Sequence, residues 1–319
     1  MNLTYQRIHA AWRAFRSGKQ LSPAIDDFSY HLTANLLDLT HQLNIGTYRH
    51  SAYRQISVQE KKRRDISVAA VRDRVVHRLI YDELVRIFDD SFDYDVWSCR
   101  IDKGLHKCLD RTKNLLGRYQ RAYVWRMDIA KFYDHVDHAV LMKCSRRRLD
   151  DQQLLWLCEE IINSFSLADD RPRGIPIGNL TSQVFSNIYL NEFDRWARHQ
   201  SGALAYVRYG DDCVIFAPTR QVARELRRDA TLFLHENLRL DVNPKNDVIV
   251  RSGDGLDFLG HHITSAEIIV DRHTTVAALS SVNYRNLASY KSLKFDNRIK
   301  RRFDHQVLDE ITEVIGPKY

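Results

Sequence analysis

Cysteine, proline and glycine are all scarce in this sequence. Its five cysteines, Cys99, Cys108, Cys144, Cys158 and Cys213, are scattered along 319 residues. No two lie at the spacing of a zinc knuckle, and an odd number does not suit a disulfide framework, so reduced thiols are expected. The 12 glycines and 6 prolines build no low-complexity tract and no fixed-period repeat, which argues against disordered and solenoid architectures. Long apolar runs are missing too: nowhere do about 18 apolar residues follow one another. The opening stretch MNLTYQRIHAAWRAF is charged and aromatic where a secretory leader would be apolar. These absences give the expectation of a cytoplasmic protein with no membrane partner.

What is present is a core and a basic surface. Hydrophobic residues make up 44% of the chain, enough for a compact body without covalent staples. Lysine and arginine outnumber aspartate and glutamate by 48 to 41, a net charge of +7. The excess is clustered at 61–64, 146–148 and 298–302, a distribution that points to a polyanionic partner, although any one such run is equally a solvated face.

Ser22 and Pro23 read as an N-cap and first-turn proline, and Phe28, Leu32, Leu36, Leu39 and Leu43 keep helical spacing, so one long helix is predicted to end near Gly46. Val75, Leu79, Leu84 and Ile87 mark the apolar stripe of a second helix over 71–88, with Arg72, Arg74 and Arg78 on a basic face. Further along, 122–129 reads as a strand and 203–216 as a hairpin turning at Gly210-Asp211-Asp212. Helices are predicted over 150–165, 181–199 and 220–238, followed by short strands at 247–250 and 256–263. Strands interleaved with helices give an α+β sheet domain, and from about Val276 the chain turns basic and helical.

Asp128 closes the first of these strands, and Asp211 and Asp212 lie in the hairpin turn, so three carboxylates can converge. Carboxylates beside apolar strands are costly unless cations compensate, and two Mg²⁺ ions suit an in-line displacement at phosphorus. Taken singly, each motif is ordinary, because Gly-Asp-Asp is turn chemistry and an aspartate after a strand often caps a helix. His135 and His138, three apart beside Asp134 and Asp137, are read as capping and flanking the helix after the strand, and zinc is discounted.

In chain order, RRDI and RDRVVH, then DIAKFYDHVDH, GIPIGNLTSQVFSNIYLNEFD, YVRYGDD, NPK and FLGH resemble the motifs of bacterial reverse transcriptases, over about residues 53–263. The resemblance implies an α+β right-hand polymerase fold: fingers and palm, an antiparallel sheet plus helices, over 51–275, after an N-terminal helical extension at 1–50 and before a short helical thumb at 276–319. It implies RNA-directed DNA synthesis with two Mg²⁺ ions, or Mn²⁺, held by Asp128, Asp211 and, less directly, Asp212, with the carbonyl of Ile129 as an extra ligand. Tyr133 matches the aromatic ring that closes the space for a ribose 2′-hydroxyl and so selects dNTPs, the alternative being a core aromatic. Lys62 and Arg64 match a clamp on the triphosphate, Lys245 a lysine that protonates pyrophosphate, and Phe258-Leu259-Gly260 the element beneath the primer end; a solvated basic run, a loop lysine and plain packing are the respective alternatives.

The sequence departs from many relatives at Ile177, beside Gly178, where they carry Gln-Gly near the nascent base pair. An apolar side chain forfeits an amide's polar contacts, so base selection should lean on shape. This pattern resembles the reverse transcriptases of diversity-generating retroelements, which copy a template RNA with errors at adenines. Gly210, where that subgroup more often has a larger residue, keeps antiviral-defence reverse transcriptases open as a second reading. Either implies a noncoding or template RNA, a primer and cDNA product, dNTPs, and an accessory or effector protein as partners. An RNA-dependent RNA polymerase, which would also carry Gly-Asp-Asp, is the remote alternative.

Overall fold

The computed structural model describes residues 3–20, 22–59, 63–168, 170–271 and 275–276. The expected thumb beyond Val276, and Lys62, lie outside the described residues.

Along the chain, α1 (Tyr5–Arg16), α2 (Pro23–Tyr30) and α3 (Leu32–Asn44) precede a hairpin of β1 (Arg54–Gln59) and β2 (Arg63–Val68). Then come α4 (Val71–Phe88), α5 (Leu105–Arg118), β3 (Tyr123–Met127), the short α6 (Phe132–His135), α7 (His138–Arg146), α8 (Gln152–Asn163) and α9 (Leu180–Arg198). The hairpin β4 (Ala205–Tyr209) and β5 (Asp212–Ala217) leads to α10 (Arg220–Leu238), β6 (Val248–Arg251), and the strands β7 (Leu256–Phe258), β8 (His261–Ile263) and β9 (Ile268–Val270). The described residues fall into two compact units: those of 1–94, 129–197 and 230–242 in one, and those of 95–128, 198–229 and 243–276 in the other.

In the first unit, the single helix expected up to Gly46 is two. The chain bends at His31 (φ −105°, ψ 26°), where the Asn35 amide donates to the freed Phe28 carbonyl at 3.0 Å and so replaces a helical bond. Both halves keep the apolar stripe, burying Phe28, Leu36, Leu39 and Leu43, which is why periodicity alone hid the break. Helix α4 spans the predicted residues and buries Val75, Leu79 and Leu84. Its buried polar groups are paired: Tyr48 Oη donates to Asp73 Oδ1 at 2.8 Å, and the Ser51 N–H to Asp73 Oδ2 at 3.1 Å.

His77, 1% exposed, sits in a relay whose proton positions are dictated by its ends. His50 Nδ1 lies 2.6 Å from the Ser51 carbonyl and must donate, so His50 Nε2 accepts from His77 Nε2 at 3.0 Å, and His77 Nδ1 accepts from Thr181 Oγ1 at 2.6 Å. A further proton would set N–H against N–H. Burial first, then the His50 and Arg74 charges, depress the His77 pKa from 6.5 to about 3. A histidine with a folded-state pKa below its unfolded value contributes stability that is present above pH 6.5 and lost as pH falls from there toward 3. Chemical denaturation should therefore show about 2 kcal/mol less stability at pH 5 than at pH 7.5 from this site. A His77→Gln variant should lose most of that slope, and an unchanged slope would place the acid sensitivity elsewhere.

The second unit is built on a four-stranded antiparallel sheet in the order β4-β5-β3-β6. Val124, Val207, Val214 and Phe216 on one face pack with Cys108, Leu109, Leu115 and Leu116 of α5 and with Leu256, Phe258 and Ile263 of the three-stranded sheet β7-β8-β9. Trp125, Tyr206 and Ile215 on the opposite face are buried as well. Burial on both faces explains why these strands read as nearly continuous apolar runs.

Candidate active site on the central sheet

The β4–β5 turn puts Gly210 at φ +66°, a left-handed position that favours glycine, and Asp212 already opens β5 opposite Tyr209. Strand β3 pairs with β5 in a register that ends Arg126↔Val214 and Met127↔Cys213, so one more step sets Asp128 across from Asp212. Like charges directly opposite on neighbouring strands repel. Burial, then Asp211, then Asp128, push the Asp212 pKa from 3.8 up to about 7, with Arg126 pulling the other way.

Asp128 is held from one side. Its Oδ2 accepts from Asn246 Nδ2 at 2.9 Å and, less closely, Asn243 Nδ2 at 3.4 Å, while its carbonyl accepts the Asn243 N–H at 2.9 Å. Its Oδ1 is buried with no hydrogen-bond partner among the described residues. A buried carboxylate oxygen without a donor is expensive unless something positive completes it. Arg126 reaches Asn246 Oδ1 at 3.0 Å and the Asp257 carbonyl at 2.6 Å, tying the β7–β8 hairpin to the catalytic-strand candidate β3. Asn246, Arg126 and the Asn243 side chain were not singled out by the sequence; only the NPK block hinted at the two asparagines, whose bonds to Asp128 span more than a hundred residues.

Hard carboxylate oxygens, one of them orphaned, and two like charges held together fit a divalent cation that binds oxygen. Among the described residues no group of three or more His, Cys, Asp or Glu side chains is placed to hold a metal ion by itself.

The remaining site residues divide between the units. In the second, Lys245 is an exposed residue of the turn 243–246, its N–H donating to Asn243 Oδ1 at 3.2 Å. Phe258 is 1% exposed and packs in the core, while Leu259 (φ +51°) and Gly260 (φ +75°) make a tight turn with both φ angles positive. A leucine in that conformation is strained, and its side chain packs against the core cluster.

In the first unit, Ile129 pairs with Val242. Of the two rings in question, Phe132 is core, at 2% exposed against Tyr189, and Tyr133 is half-buried. The Tyr133 carbonyl accepts the Ile175 N–H at 2.8 Å, which ties this segment to the block carrying Ile177 and Gly178. Ile177 is 36% exposed, an unusual placement for isoleucine. Gly178 (φ +94°) lies so close to Ile66 that a Cβ would meet its Cγ2 at 3.1 Å, and Asn179 donates to the Ser67 carbonyl at 2.9 Å. Arg64 belongs to β2, paired with Val58. His135 and His138 do not cap α7: Asp137 does, accepting from the Val140 N–H at 3.0 Å, while His135 binds the Ala130 carbonyl and His138 the Gly174 carbonyl. A carboxylate is the better acceptor for a helix N-terminus.

The family model described as reverse transcriptase (RNA-dependent DNA polymerase) matches residues 54–263, about two thirds of the chain. The chain belongs to the reverse transcriptase family. Protein YkfC of Escherichia coli (strain K12) is 26% identical over 299 residues, covering 81% of this chain and 78% of that protein. The group II intron-encoded protein LtrA of Lactococcus lactis subsp. cremoris is 20% identical and covers 89% of this chain, which spans 57% of LtrA's length. Among solved structures, telomerase from Candida albicans in complex with the TWJ fragment of telomeric RNA aligns at a TM-score of 0.54 and 13% identity, over 85% of this chain and 56% of that one. The fold of this reverse transcriptase is that of a right-hand polymerase, with helices around antiparallel sheets. No helix among its described residues is long and apolar enough to cross a membrane.

Proposed function

We propose that this reverse transcriptase copies RNA into DNA by two-metal nucleotidyl transfer, with Asp128, Asp211 and Asp212 as the metal-holding carboxylates and the Ile129 carbonyl as a further ligand. The observation that carries the reading is the Asp128 Oδ1, buried and without a donor among the described residues, one residue past the end of β3, which pairs with β5. Two bound Mg²⁺ ions supply activation of a primer 3′-hydroxyl and neutralisation of the triphosphate. The chain's own part is to keep the Asp128 carboxylate oriented through Asn243 and Asn246. Tyr133 fills the space of a ribose 2′-hydroxyl, Lys62 and Arg64 clamp the triphosphate, and Lys245 gives the departing pyrophosphate a proton. The Phe258–Gly260 turn supports the primer end. In this scheme 51–275 are fingers and palm, 1–50 a helical extension and 276–319 a thumb, and the protein works in the cytoplasm with a template RNA and an accessory protein. The test is metal removal: primer extension on an RNA template should stop with EDTA and return with excess Mg²⁺ or Mn²⁺. Extension that persists in EDTA would refute the two-metal reading.

The finer reading is error-prone copying of a dedicated template RNA, as in diversity-generating retroelements, and the exposed Ile177 favours it over defence. An amide there would add a polar contact of ~1–3 kcal/mol to base selection. Ile177→Gln should accordingly lower misincorporation opposite template adenines about tenfold in sequenced products. Equal error spectra for the two proteins, or a faithful wild type, would favour the defence reading.

A further inference from the structure

Gly210 is placed by its neighbours as well as by its own freedom. A Cβ at this position would meet nothing within 4 Å, so space is not what the turn requires. Both of its backbone polar groups end on buried side chains. The Gly210 N–H donates to Ser98 Oγ at 2.8 Å, and its carbonyl accepts from Arg208 Nη1 at 2.9 Å. Ser98 is 5% exposed and Arg208 is 0% exposed, the only arginine among the fully buried large side chains of the described residues. A guanidinium is seldom buried, and here one of its donors serves a backbone carbonyl immediately before Asp211.

Ser98 is itself held in place. Residues 95–98 run parallel to the edge of β4: the Arg208 N–H donates to the Asp95 carbonyl and the Trp97 N–H to the Arg208 carbonyl, both at 2.9 Å. Asp95, 1% exposed, anchors that segment by accepting from Arg111 Nε at 2.8 Å, Arg111 Nη2 at 3.0 Å and Arg198 Nη2 at 2.9 Å.

We infer that Ser98 and Arg208 are positioning residues for the catalytic turn, clamping both backbone groups of Gly210 so that Asp211 and Asp212 are presented together to divalent cations. The inference rests on the proposed role of that turn in catalysis. Its physical basis is that Asp128, Asp211 and Asp212 repel one another and would push a glycine-hinged turn open. The clamp opposes that opening from the backbone side, through the Gly210 N–H and carbonyl. Neither residue contacts the reacting atoms in this account, so substrate affinity is not theirs to set.

The experiment compares wild type with Ser98→Ala and Arg208→Lys by site-resolved amide hydrogen exchange, thermal melting and Mg²⁺-dependent primer extension. In Ser98→Ala the Gly210 amide should exchange about tenfold faster or more, and kcat should fall about 10–100-fold. The Mg²⁺ concentration for half-maximal extension should rise several-fold, while the dNTP KM stays within about twofold. Arg208→Lys, which keeps the charge and loses the planar fork, should move in the same direction. Unchanged Gly210 exchange and unchanged Mg²⁺ dependence in a folded Ser98→Ala protein would overturn the inference, whatever Arg208→Lys does to folding. So would a loss of kcat that merely follows a lowered melting temperature. If Asp211→Ala stayed active in the same assay, the proposed catalytic role of the turn would fail, while the exchange rates, which need no activity, would still decide whether the clamp holds Gly210.

Discussion

Asp211→Ala should reduce RNA-templated primer extension by about 10³-fold or more without lowering the melting temperature of the metal-free protein. The two halves of that result come from the same electrostatics. Asp211 is the neighbouring charge that most raises the Asp212 pKa, so its removal takes one carboxylate out of a crowded, partly buried cluster and relieves repulsion. What is lost is a ligand for which substitute water is a poor replacement. Asp128→Asn should behave in the same way, because an amide can still accept from Asn246 while placing a neutral group at the orphaned position. Parallel kinetics and melting curves check both variants. Inactivity accompanied by a drop of many degrees would mean that these aspartates act as structural residues.

The second large effect is expected at Tyr133. Tyr133→Ala should admit ribonucleotides, lowering the preference for dNTP over NTP about 100-fold while dNTP incorporation changes only a few-fold. The half-buried ring can be removed at modest cost, whereas its neighbour Phe132 lies in the core against Tyr189. Phe132→Ala is the informative contrast: it should cost about 3–5 kcal/mol of stability and leave the sugar preference of the surviving enzyme unchanged. Single-nucleotide incorporation with dATP and ATP, together with denaturation, separates the two. A Tyr133→Ala enzyme that still rejected NTPs would remove this ring from the proposed site.

The elements legible in the sequence are those whose signal is local. The helix 71–88, the helix 220–238 and the hairpin around Gly210-Asp211 carry their own periodicity or turn residues, and all three form where expected. The β1–β2 hairpin was not announced by pattern, because RQISVQ and RRDISV are short runs in which polar residues outnumber apolar ones. The break at His31 was hidden for the opposite reason, since the apolar stripe runs on through it. At the site, the three aspartates stand in motifs that can be read one at a time. The partners that hold them could not be read, because Asn246 meets Asp128 across 118 positions and Ser98 meets Gly210 across 112. A serine in Asp95-Val96-Trp97-Ser98 looks like any loop serine until β4 is laid beside it.

In the proposed mechanism this chain polymerises DNA on RNA with Asp128, just past β3, and the carboxylates at the β4–β5 turn. The most direct measurement is extension of a primer on a defined RNA template by purified protein in Mg²⁺, with dNTPs or NTPs supplied separately, beside Asp211→Ala. The account predicts full-length product from dNTPs, little from NTPs, and none from the variant. Product made only from NTPs, or equal product from the variant, would contradict it.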